Sequence, residues 1–188
     1  MTTEELESRL EAGTETQGLD FKADCPWDVK SLAKDILAMS NHKDGGYIII
    51  GIEDGTMKRQ GVSAENLATF NIDVMRDQMT RYADPSVDMF RFASKDKDGR
   101  EYVVIQILPF KDVPVICRHP DETAGLRAGV IYYRNSNRRI ESAAVSNSSD
   151  MRDIIETATL KRMQRMKEFG FVAKSVDDEK LKEELKGL

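Results

Sequence analysis

The chain has 188 residues, 40% apolar and 32% charged, a globular composition that suits one core plus an appendage and excludes a largely disordered polypeptide or two full domains. Apolar runs such as Tyr47-Ile48-Ile49-Ile50 fall far below the roughly 20 residues a spanning helix needs, so no membrane segment is expected. The net charge of −5 argues against a surface uniformly attractive to phosphate, but the acidity sits at the front: residues 1–24 hold seven acids and two bases, residues 111–188 thirteen acids and fifteen bases.

Thr3 followed by Glu4, Glu5 and Glu7 has the hydroxyl and early carboxylates that favour a helix start, predicting a short helix over 3–12 that ends at Gly13. In Leu19-Asp20-Phe21-Lys22 the polarity alternates, which predicts a strand with Leu19 and Phe21 on the buried face and Asp20 and Lys22 together on the other. Pro26 suits a first helical turn, and Val29, Leu32, Ala33, Ile36 and Leu37 recur at three- and four-residue spacing up to about Asn41. Asp44-Gly45-Gly46 stops that helix, and Tyr47 to Ile52 predicts a buried central strand closed by a Glu53-Asp54-Gly55 turn. If the two strands are parallel, the connection is a right-handed crossover.

A second helix is predicted around 64–83, carrying Leu67, Ile72, Met75, Met79 and Tyr82 and ended by Asp84-Pro85. The period then changes to two, and residues 87–93 and 101–108 flank the turn-rich Lys95-Asp96-Lys97-Asp98-Gly99 as a hairpin. Two more strands are expected near 113–117 and 129–134, and a third helix from Ser149 to about Phe169, with Ile154, Ile155, Ala158 and Met166 on one side. The fold class is α/β (α+β): a mixed sheet covered by helices, residues 1–148, with a helical extension over 149–188. That extension exposes Leu181 and Leu185 unless they dock, so a homodimer is the expected assembly. Two cysteines, Cys25 and Cys117, and the lack of a secretory pattern at the N-terminus suggest a cytoplasmic protein.

The candidate chemistry lies in three acids. Glu15 precedes the first strand, Asp20 sits on its polar face and Asp54 follows the next strand, so one site can hold all three. Oxygen ligands of this kind suit Mg²⁺ or Mn²⁺, and such an ion activates water and neutralises charge on a phosphodiester. Lys22, one pleat from Asp20, is placed to stabilise developing negative charge. Equally, carboxylates before a strand and at a turn are common structural features, and Asp54 before Gly55 is on pattern alone a turn residue. Lys58, Arg59, Arg134, Arg138 and Arg139 flank the presumed site as candidate phosphate contacts.

The stretch Glu15-Thr16-Gln17-Gly18-Leu19-Asp20-Phe21-Lys22 resembles the opening of the AlbA_2 domain family, the Schlafen-type DNA-binding module. Ala38-Met39-Ser40-Asn41 and Gly45-Gly46-Tyr47-Ile48-Ile49-Ile50-Gly51-Ile52-Glu53-Asp54-Gly55 are similar to its core motif, and Tyr132-Tyr133-Arg134-Asn135-Ser136-Asn137 to its final strand. The resemblance implies a protein directed at RNA or DNA and places a three-carboxylate endoribonuclease site, acting on structured RNA such as transfer RNA, on Glu15, Asp20 and Asp54. Asp20 stands where the family usually has Glu, shortening the ligand by one methylene, and Asn135 where it has Gly. The competing readings are a non-catalytic binding or regulatory module and, third, an ATP-binding switch. No G-x-x-x-x-G-K-[ST] loop supports the last, and no organic cofactor is expected.

Overall fold

The computed structural model describes residues 1–11, 13–53, 56–135 and 140–171. Helix α1 (Thr3–Glu11) is followed by β1 (Leu19–Lys22), α2 (Val29–Ser40) and β2 (Gly46–Ile50). Asp28 caps α2 by accepting from the Lys30 amide. Strands β1 and β2 pair in parallel, Leu19 against Tyr47 and Lys22 against Ile50, as a strand-helix-strand unit requires. Gly45 and Gly46 do more than stop α2. Gly45 has φ +70°, and a Cβ there would collide with the Ile107 carbonyl, while one on Gly46 would lie 2.6 Å from Met39 Sδ.

The hairpin of β4 (Met89–Lys95) and β5 (Glu101–Ile107) extends this sheet in the order β1-β2-β5-β4, with β2 and β5 antiparallel. Asp96 organises its turn, accepting from the Asp98 and Arg100 amides and from the Tyr102 hydroxyl. Between β2 and β4 the sequence predicts one helix, but there are two, α3 (Ala64–Thr69) and α4 (Ile72–Thr80), followed by β3 (Ala83–Asp84). The cause is Asn71, whose side chain accepts from the Asp73 and Val74 amides and starts a new helix, while Phe70 turns into the core.

The mixed sheet covered by helices is as the sequence predicts, and the later strands lie outside it. β6 (Ile116–Cys117) pairs with β3, and β7 (Tyr132–Asn135) pairs with β8 (Glu141–Ala144), a strand the sequence reading missed because Glu-Ser-Ala-Ala carries no β-branched or aromatic residue. The last described element, α5 (Ser148–Glu168), is capped by Asn147.

Both faces of the main sheet are covered. α1 lays Leu6 and Leu10 against Leu19, Phe21, Ile49 and Val104, and α2 with α4 lays Leu32, Ile36, Leu37 and Met75 against Ile48, Ile50, Val103 and Ile105. β1 alternates as its sequence predicts, but the second face is no solvent face: Arg134 of β7 and Asp35 of α2 reach over it to Asp20 and Lys22. No helix among the described residues is long and apolar enough to cross a membrane.

Candidate nucleic-acid site around Asp20

Because α2 and β7 cover the polar face of β1, Asp20 is buried at 3% exposure. An isolated carboxylate is not tolerated there; it needs paired charge and hydrogen bonds. Arg134 of β7, 2% exposed, supplies them: Nη1 donates to Asp20 Oδ1 at 3.0 Å, and Nη2 donates to the Thr16 carbonyl at 3.1 Å and the Leu19 carbonyl at 3.4 Å. The other oxygen, Oδ2, lies 2.9 Å from Lys22 Nζ, and the same ammonium lies 3.0 Å from Asp35 Oδ2 on α2. Gln17 closes the cluster by donating to the Arg134 carbonyl at 2.9 Å. One guanidinium thereby ties the 15–22 segment to β7, and one ammonium ties it to α2. Burial works against the charge on Lys22, but Asp35 and Asp20 outweigh it and hold the ammonium protonated well above its ordinary range.

Glu15 joins from the edge of β1, where its Oε1 accepts from the Phe21 amide at 3.4 Å. Burial pushes the Glu15 carboxyl up, and the neighbouring Asp20 carboxylate adds to the rise, against the Phe21 amide, Arg134 and Lys22. The folded chain therefore binds this proton more tightly than the unfolded chain does. The stability that follows is fully present below the unfolded value and lost as pH rises through the raised folded value. Glu15→Gln, fixed in the neutral form, is expected to melt above the wild type at pH 7, with the difference closing below about pH 4, where both side chains are uncharged. Thermal melts across that window check it.

Of the residues singled out in the sequence, Glu15, Asp20 and Lys22 come together. Asp54, Arg138 and Arg139 lie outside the described residues. Lys58 is exposed, and the Glu53 amide donates to its carbonyl just beyond the end of β2, close to where the Ile52 amide meets the Lys22 carbonyl. Arg59 is half-buried and pairs at 3.0 Å with Glu7 of α1. Arg134 corrects the expectation of a phosphate contact: its guanidinium faces inward onto Asp20 and two carbonyls, where a phosphate does not reach it. Asp35 was missed, although its signal was present. It shares a helical face with Leu32 and Met39, both buried, so an acid there predicts an interior ion pair. A cleft of about 360 Å³, lined by Gln17, His42, Lys43, Tyr133 and Glu156 among others, approaches this cluster through Gln17.

The donor set bears directly on metal binding. Among the described residues no group of three or more His, Cys, Asp or Glu side chains is placed to hold a metal ion. Asp20 Oδ1 accepts from Arg134, whereas Oδ2 lies 2.9 Å from Lys22 Nζ but accepts no hydrogen bond, so a divalent ion at Oδ2 would have to displace that ammonium. The described residues on their own do not fit one.

The family model described as Schlafen, AlbA_2 matches residues 15–142, from the glutamate beside Asp20 to the strand that pairs with β7. The chain belongs to the Schlafen AlbA_2 family. The AlbA_2 match spans the whole cluster, since Glu15, Asp20, Lys22, Asp35 and Arg134 all fall within it, and membership is consistent with binding nucleic acid. Among solved structures, the fold is similar to that of the DIP2311 protein from Corynebacterium diphtheriae, with a TM-score of 0.51 and 20% sequence identity over 79% of this chain. This AlbA_2 chain spans about 27% of the length of that protein, and at this identity the likeness concerns the fold. No curated protein matches the sequence.

Proposed function

We propose that this AlbA_2 domain binds RNA or DNA as a non-catalytic module, with Asp20 acting as the buried counter-charge that positions β7. The carrying observation is the pairing of both Asp20 oxygens, with Arg134 on one side and Lys22 on the other. A carboxylate paired with Arg134 in this way organises backbone: the same guanidinium also holds the Thr16 and Leu19 carbonyls. Phosphate contacts then fall to other cations, with exposed Lys58 a candidate among the described residues, and with Arg138 and Arg139, named from the sequence, outside them.

The test is fluorescence anisotropy with labelled transfer RNA and a labelled DNA duplex at about 50 and about 200 mM salt. Binding is expected to weaken steeply with salt, and Lys58→Glu to weaken it further while flattening the salt slope by roughly one phosphate contact. Absence of any anisotropy change up to about 100 μM protein at the lower salt, where even non-specific binders respond, contradicts the proposal.

One observation favours a second reading. Glu15 combines partial burial, a raised proton affinity and an acidic neighbour, a combination that functional carboxyls share. On that reading Glu15, Asp20 and Asp54 form a Mg²⁺- or Mn²⁺-dependent endoribonuclease site on structured RNA, with Lys22 beside it. It requires Asp20 to exchange one of its two cations for the metal.

A further inference from the structure

Strand β4 is an edge of the main sheet, and the phase of its hydrogen bonds says which backbone groups are left over. The Asp96 amide donates to the Arg100 carbonyl at one end of the hairpin, and the Leu108 amide donates to the Asp88 carbonyl at the other. Between them the seven residues of β4 pair with β5 in unbroken register. The even-numbered residues of β4 therefore bond inward to β5, and the N–H and C=O groups of Met89, Arg91, Ala93 and Lys95 point outward. Arg76 of α4 takes the Met89 carbonyl, donating from Nε at 3.1 Å and from Nη2 at 2.6 Å. No described residue bonds the outward groups of Arg91, Ala93 or Lys95, and Ala93 and Lys95 are exposed.

A free edge recruits another strand, so sheet edges are usually short, bulged or interrupted by proline. This one has seven residues, no bulge and no proline. What it carries is charge: Arg91 and Lys95 on the strand, and Arg76 beside it. Neither arginine has an ion-pair partner among the described residues, and Arg91 Nε is buried without an acceptor, while Lys95 lies 3.4 Å from Glu101. A second copy meeting this edge would bring two such sets of cations together, which opposes self-pairing. The same cations favour a strand that carries carboxylates. Nucleic acid fits less well, because the outward carbonyls alternate with the amides and repel a phosphate, whereas a polypeptide offers each of them an N–H.

We propose that the β4 edge takes up an extended acidic segment of a partner protein as an added strand, bonded at Arg91, Ala93 and Lys95. The proposal is independent of the nucleic-acid reading. The probe is a fluorescein-labelled peptide of about eight residues alternating glutamate and valine, with a lysine and valine peptide as counterpart. The acidic peptide is expected to bind the full chain about tenfold more tightly than the basic one. Its form N-methylated at every residue keeps the charge and is expected to lose binding, since no N–H is left to meet the edge. Ala93→Pro removes an outward N–H without touching the bonds to β5, and is expected to keep the melting transition while losing the peptide. Amide hydrogen exchange reads the register directly: in the free chain Arg91, Ala93 and Lys95 are expected to exchange about tenfold faster than Phe92 and Ser94, and to be protected by the peptide. Failure of the acidic peptide to bind, equal binding of the basic or the N-methylated peptide, or undiminished binding by Ala93→Pro overturns the proposal. So does slow exchange at the three edge amides in the free chain. Transfer RNA that protects those amides where the peptide does not would give the edge to nucleic acid and overturn it as well.

Discussion

Replacing Arg134 with alanine is expected to lower the unfolding free energy by about 3–5 kcal/mol, the range for breaking a buried pair by removing one partner. The loss has two sources. Asp20 keeps Lys22 but loses the hydrogen bond to Oδ1, and the Thr16 and Leu19 carbonyls lose a charged donor inside the protein. Arg134→Lys is expected to recover only part, since an ammonium cannot reach the carboxylate and both carbonyls with the planar fork of a guanidinium. Asp20→Asn combined with Arg134→Met is expected to cost less than the sum of the two single changes, because each single change strands one member of the buried pair and the combination removes both. Urea unfolding of the two Arg134 variants, the double variant and its two component single changes measures all three statements. An Arg134→Ala loss under about 1 kcal/mol would show that the ion pair holds nothing in place.

Asn41 gives the second large effect. It follows α2, is 1% exposed, and its amide joins three separate pieces of chain. Nδ2 donates to the Val115 carbonyl at 2.8 Å, the Tyr132 carbonyl at 3.0 Å and the Leu37 carbonyl at 3.2 Å, while Oδ1 accepts from the Val115 amide at 2.8 Å. Asn41→Ala strands a buried amide and two buried carbonyls beyond the helix, and about 3 kcal/mol is the expected loss. Asn41→Asp is nearly isosteric but turns the donor into an oxygen facing the Val115 and Tyr132 carbonyls. It is expected to be at least as destabilising as alanine at neutral pH and to recover as the carboxyl protonates in acid. A mutant Asp that folds as well as the wild type at pH 7 would remove Asn41 as the connection between α2 and β7.

Elements with strong periodicity were legible before any coordinates. The α2 stripe, the β1 alternation and the hairpin around Asp96 follow from spacing alone, because each presents one apolar face at its own period. The α3–α4 break was hidden because Leu67, Ile72, Met75 and Met79 keep helical spacing across a capping asparagine. The character of the Asp20 site was hidden for a different reason. Alternation assigns Asp20 to the face opposite Leu19 and Phe21 but does not say what covers that face, and its partner Arg134 lies 114 residues away in sequence. The Asn motif after α2 was recognised as a resemblance. Its physical reason, four hydrogen bonds across three segments, needed the fold. On α5, Ile154 seats as expected, whereas Ile155 and Met166 face outward, and Leu181 and Leu185 lie outside the described residues.

The decisive measurement is incubation of the protein with transfer RNA and Mn²⁺, followed on a denaturing gel, beside Glu15→Ala and Asp54→Ala. With Asp20 engaged by Arg134 and Lys22, the RNA is expected to be retained by the protein and to stay intact in all three samples. Cleavage by the wild type that disappears in both variants would contradict this and make the three carboxyls an active site.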